Sequence, residues 1–181
     1  MPVDRRFARR QALLACAIVR NVAFYRAGFE TEDGRGRLKD DSQMGRTINS
    51  NFVDIAVLEW CKVFADWHAR HHWRRLVRDS QARTGFRTAL FAVLGLDEAG
   101  WEHYLTVVKT YRDRFVAHLD DDDTMDIPSL DPVLASTFFF YGQLWELAPD
   151  GALDGRFQDD LQAYYEASHR QACAYRATYD E

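Results

Sequence analysis

The segment TYRDRFVAHLDDDD, residues 110–123, carries the side chains of this chain best suited to chemistry on a phosphate. Arg112 and Arg114 stand shortly before His118, and four aspartates, Asp120 to Asp123, follow almost at once. A guanidinium is permanently charged and its planar fork matches phosphate oxygens, while an imidazole trades protons near neutral pH. Those two groups suffice, in principle, for metal-free attack of an RNA 2′-hydroxyl on its own phosphodiester. On a continuous α-helix Arg114 and His118 are i and i+4, nearly on one face. Arg112 lies six positions before His118, about 240° around and roughly 9 Å along the axis. It reaches the same pocket only through its length or across a two-fold interface. The bland reading is a helix end dressed with solvated charge.

Three other clusters compete for attention. His68, His71 and His72 fall at i, i+3 and i+4, a spacing that can serve a metal on one helix face. The second and third are adjacent, however, and HHWRR reads as a basic helix end with an aromatic anchor, solvated or facing phosphate. Asp54 and Glu59 interrupt an otherwise apolar run. Either each lies on a thin exposed line, Glu59 beside Lys62 and Asp66, or a buried carboxylate orients a cation from a facing helix. Finally, residues 62–87 hold Lys62 and six arginines against Asp66 and Asp79, a local charge of +5. Arg74, Arg75 and Arg78 are expected to guide a polyanion such as RNA from that segment. Glycine-rich phosphate loops, GxSxG and HExxH are all missing from the sequence.

The 181 residues suit one domain with its own core, and two would be cramped. The net charge of -5 argues against a general nucleic-acid binder, but it is unevenly spread. Residues 1–30 carry six arginines against Asp4 and Glu30, a local charge of +4. Residues 97–181 carry six basic against eighteen acidic side chains, a local charge of -12. A basic face can therefore coexist with an acidic total. Cys16, Cys61 and Cys173 are odd in number, widely spaced and form no CxxC pair, which favours a reducing cytoplasm over a disulfide framework or zinc ribbon. The start DRRFARRQALLACAIV looks like a secretory signal, yet its eight-residue apolar run continues at helical spacing into RNVAFYRAGF and reads as an amphipathic helix. No run approaches the roughly 18 apolar residues of a membrane span.

The elements that must position these residues read as about six helices without strand alternation. The first spans about 5–28, and the polar, glycine-bearing stretch Glu30 to Gly45 reads as a mobile loop. A second, apolar around much of its circumference and so expected to be central, runs about 47–70. A third covers Arg83 to Leu94 and stops at Gly95; Asp97 caps a fourth reaching about 119. Asp131 then Pro132 reads as the cap and first turn of a fifth, ending near Leu147. After the turn Pro149–Gly151, a sixth fills about 154–178, its tyrosines forming a stripe for core or dimer contact. The expected fold is all-α, a single helical bundle over 1–181 with its core at about 47–147 and the terminal helices packing on it.

An all-helical bundle whose late helix carries arginine, a polar residue and, a few positions on, histidine resembles the HEPN superfamily. Arg112, Asp113 and His118 match with five intervening residues, and RDRFVAHLD is similar to the branch linked to abortive phage infection. The resemblance implies a homodimer whose arginines and histidines line one cleft, and metal-independent RNA cleavage without a cofactor. It makes His118 the acid/base, Arg112 the phosphate and transition-state clamp, and Arg114 a second clamp or a partner of Asp113. The superfamily also holds inactive members that serve as binding or assembly modules. In the toxin branch paired with nucleotidyltransferases a tyrosine stands two places after the histidine; Asp120 stands there here, so regulation through that tyrosine is not supported. The Asp120 to Asp123 run lowers RNA affinity, raises the His118 pKa or aids solubility, and the sequence leaves all three open. It names neither an RNA target nor an antitoxin or other regulatory partner.

Overall fold

The computed structural model describes residues 3–28, 43–116 and 126–177. Among these, six α-helices follow one another with no strand. They are α1 (Arg5–Ala27), α2 (Gln43–Phe64), α3 (Ser80–Leu94), α4 (Glu98–Tyr111), α5 (Asp131–Leu147) and α6 (Leu161–Ala177). A short 3-10 turn covers Trp73–Arg75, and a π turn, Arg112–Val116, continues α4. The chain is an all-α helical bundle. No helix among the described residues is long and apolar enough to cross a membrane. His118, the Asp120 to Asp123 run and most of the polar loop after Glu30 lie outside the described residues.

Local chemistry explains most helix ends. Asp4, Asp79 and Asp97 each sit in extended conformation and accept a hydrogen bond from a backbone N–H of the first turn, at Phe7, Ala82 and Gly100. Gly95 ends α3 in the left-handed region, φ 64°, which a side chain would disfavour. The proline signal at 131–132 is shifted by one residue: Leu130 occupies the cap position and makes no side-chain bond, and Asp131 is already helical. Asp131 is released to pair with Arg26 on α1 at 2.5 Å.

Two expected helices are shortened. The sixth begins at Leu161 rather than 154, because Gly155 takes φ 65° and residues 149–157 form successive turns. Arg5 and Arg9 of α1 donate to the carbonyls of Asp150 and Ala152, fixing these turns on the bundle. Asp160 then accepts from the N–H groups of Gln162 and Ala163 to start α6. The second helix starts at Gln43, inside the expected loop and before the expected 47, and stops at Phe64 instead of continuing to about 70. The third starts at Ser80 rather than Arg83 because Asp79 caps it.

α2 is central, as its composition implies, touching α1, α4, α5 and the π turn. α1 is more than a flanking helix. It contacts α2, α5 and α6, and its small face, Ala8, Ala12, Ala15 and Val19, is fully covered, allowing close approach. The positive N-terminal segment is thus partly spent on tying the bundle: Arg20 and Arg26 also reach the Tyr164 and Tyr165 hydroxyls of α6 at 3.5 Å. Those two tyrosines belong to the packing stripe, while Tyr175 is exposed. Between α2, α4 and α5 sits an aromatic cluster in which Trp60 meets Phe64, Trp101 and Tyr104 with ring centroids 5.2–5.8 Å apart. The Trp60 Nε1–H donates to Ser136 Oγ on α5 at 2.9 Å.

Candidate functional site

The site is built where the end of α2 meets the end of α4. Ala65 and Asp66 both direct their N–H to the Cys61 carbonyl, so the last turn of α2 widens and turns away. His72 closes it. Its Nε2 lies 3.3 Å from the Phe64 carbonyl, and its Nδ1 lies 3.3 Å from the Arg74 N–H. Because Arg74 N–H must donate, Nδ1 accepts and the ring proton sits on Nε2, donating to Phe64. His72 is therefore a neutral histidine capping α2 from eight residues downstream, and burial pushes its pKa down to about 4.

This arrangement dissolves the expected histidine cluster. With α2 ended at Phe64, His68 is exposed in a turn, His71 is half-buried and His72 is buried, so the helical spacing no longer aligns them. It also yields a pH prediction. The unfolded chain protonates His72 near pH 6.5, the folded chain only near 4. The unfolded state thus binds more protons between these values, and this stability is present above pH 6.5 and lost as pH falls toward 4. Urea unfolding of wild type and His72→Asn should show a wild-type excess loss on the order of 2 kcal/mol between pH 7 and 4.5. Parallel pH curves for the two proteins would remove His72 from this role.

Asp66, freed from helical geometry, faces α4. Its Oδ1 accepts from Arg112 Nη1 at 2.5 Å, while Asp113 Oδ1 accepts from Arg112 Nε at 2.8 Å. The Arg112 side chain is only 15% exposed. Burial works against its charge, and the hydrogen bonds it donates to Asp113 and Asp66 more than offset this, leaving its pKa raised. The Cys61 thiol lies beneath, pushed up to about 12 chiefly by burial. Arg112 stands at the first residue of the π turn, a distortion that recurs at functional sites. Its two carboxylates use two of the five guanidinium donors, so the group is oriented rather than consumed.

No protein-family model, curated protein or solved structure matches this chain.

The remaining expected residues separate. Asp54 is half-buried and, among the described residues, orients no cation; it accepts from the Tyr111 hydroxyl at 2.7 Å, and burial raises its pKa. The carboxylate that orients a cation from a facing helix is Asp66. Glu59 follows the bland reading, paired with Lys62 at 2.6 Å. Arg114 lines a shallow cleft of about 260 Å³ with Tyr111, Phe115 and Asp126. Its supposed i,i+4 relation to His118 assumed α-geometry, which the π turn replaces through residue 116. Arg75 and Arg78 are exposed, and Arg78 Nε donates to the Arg75 carbonyl. Arg74 alone of that trio turns inward, its guanidinium carbon 3.2 Å from the centroid of the Trp67 ring. Asp66 and Trp67 were the residues sequence patterning passed over. Asp66 lies 46 positions before its partner Arg112, and Trp67 meets Arg74 only because the chain leaves the helix after Phe64.

Proposed function

We propose that this chain is an HEPN-like, metal-independent endoribonuclease of a defence or stress system, working in the cytoplasm as a homodimer. Arg112 holds the scissile phosphodiester and the charge developing on it, and His118 moves the protons as the 2′-hydroxyl attacks. The observation that supports this most is the placement of Arg112. The arginine of the motif stands where α4 opens into a π turn, with its guanidinium aimed by Asp66 and Asp113. A pre-oriented guanidinium costs little reorganisation at the transition state. Purified protein should cleave RNA in EDTA and leave 2′,3′-cyclic phosphate ends. Inertness toward several structured and unstructured RNAs would sink the reading.

The resemblance implies two copies, with the arginines and histidines of both lining one cleft. Sedimentation equilibrium at micromolar concentration should return twice the 21.0 kDa of the chain. A monomer there counts against the shared cleft. A second reading, a non-catalytic binding or assembly module, draws on the same pair: both carboxylates neutralise Arg112 within its own chain. In that case Arg112 is an internal tie between α2 and α4, and its removal changes stability without any cleavage to lose.

A further inference from the structure

A cleft of about 460 Å³ opens between the 65–74 segment, α3 and α4. That volume is in the range of small-molecule sites. Two of the cleft's lining residues are neighbours in sequence of the Asp66–Arg112 pair: Trp67 follows Asp66 directly, and Lys109 stands three positions before Arg112.

We infer that this cleft binds a nucleotide, with the base stacked on the Trp67–Arg74 pair and the phosphate directed to Lys109. Three kinds of group on its walls match the base face, the base edge and the phosphate of such a ligand. Trp67 is 59% exposed, unusual for so large an aromatic, and with the Arg74 guanidinium over its face forms a flat platform. Bases stack on aromatic rings and on guanidinium planes alike. Arg74 is held there by stacking: its Nε is buried and has no hydrogen-bond partner among the described residues. Glu102 and Glu98 supply carboxylates on the facing helix, suited to accept from amino groups on a base edge. Glu98 already engages Arg87, which leaves Glu102 as the better acceptor. Lys109, exposed at the rim, supplies the cation for phosphate.

The charge balance decides against a bare anion site. Arg74, Arg87 and Lys109 face Glu98 and Glu102, a net of one positive charge, with Arg87 already paired. Inorganic phosphate gains little here, whereas a ligand with an aromatic ring gains the platform. Nucleotide capture stands on the cleft alone; its use as a seat for one unit of an RNA strand rests on the ribonuclease reading.

The test is calorimetric titration of the full chain in EDTA with AMP, GMP, CMP and UMP. At least one should bind saturably, and Trp67→Ala should weaken it about tenfold or more, the loss typical of one stacked base. Lys109→Glu should weaken the monophosphate more than the corresponding nucleoside. Both positions are exposed, so circular dichroism should show both variants folded. An RNA octamer that displaces the monophosphate assigns the cleft to RNA; failure to displace it assigns it to free nucleotide. The inference is overturned if none of the four monophosphates binds at millimolar concentration. It is equally overturned if inorganic phosphate binds as tightly, or if Trp67→Ala binds like wild type. Nucleotide binding without RNA cleavage rejects the ribonuclease and keeps the cleft. Cleavage without nucleotide binding does the reverse.

Discussion

RNA cleavage in EDTA should be abolished by His118→Ala and reduced about 10²–10³-fold by Arg112→Ala, the usual loss for one charge-stabilising donor at a transition state. Arg114→Ala should be mild. The order of the two arginines follows from where they sit. Arg112 is held by Asp66 and Asp113 at the start of the π turn, while Arg114 lines a separate cleft with Asp126. Asp66→Asn offers a finer reading of the same pair. It keeps a hydrogen-bond acceptor for Arg112 and removes the charge, so the guanidinium stays near its place but is held less firmly. Activity should fall less than with Arg112→Ala. A crippled Arg114→Ala beside a mild Arg112→Ala would show that the wrong arginine was assigned. Should His118→Ala dissociate the dimer while the wild type cuts no RNA, the histidine is structural and the module reading replaces the enzyme.

Trp60→Ala should destabilise the fold by about 3–5 kcal/mol, the range for large-to-small changes of a buried aromatic. For a chain of this size that corresponds to a fall in Tm of roughly 6–20 °C. Trp60 is fully buried at the meeting of α2, α4 and α5, touching Phe64, Trp101 and Tyr104 and donating to Ser136. Trp60→Phe retains an aromatic ring and loses the indole donor. Ser136 keeps its own bonds to the Pro132 and Val133 carbonyls, so this variant should cost clearly less than Trp60→Ala. Thermal unfolding followed by circular dichroism separates the two. A Tm for Trp60→Ala within about 2 °C of wild type would mean that the cluster does not hold these helices together. Because Asp66 and Arg112 stand just beyond the ends of α2 and α4, loosening this core should blunt any activity of the site.

The all-helical class and several helix ends were legible in the sequence because their causes are local. Asp97 caps α4 through its own side chain and Gly95 stops α3 through its own φ, whereas the cap at Asp79 starts α3 at Ser80, ahead of the expected Arg83. The apolar circumference of α2 announced a central helix, since such a surface needs neighbours on several sides. The end of α2 at Phe64 had no such signal. VFADWHARHH contains no glycine or proline, and it leaves the helix because His72 takes the Phe64 carbonyl and Arg112 takes Asp66. Gln11 of α1 also donates to the His71 carbonyl, holding the turn from a third element. The same holds at the other expected sites. Sequence spacing proposed a carboxylate orienting a facing cation but chose Asp54 and Glu59; tertiary packing gave Asp54 a tyrosine hydroxyl, Glu59 a neighbouring lysine, and the cation to Asp66. Residue types and local periods therefore determined that the chain folds as helices, and they put Arg112 and His118 forward for phosphate chemistry. Which carboxylate meets which arginine, and where a helix gives way to a cleft, depended on contacts between residues far apart in the chain, whose energies no local pattern encodes.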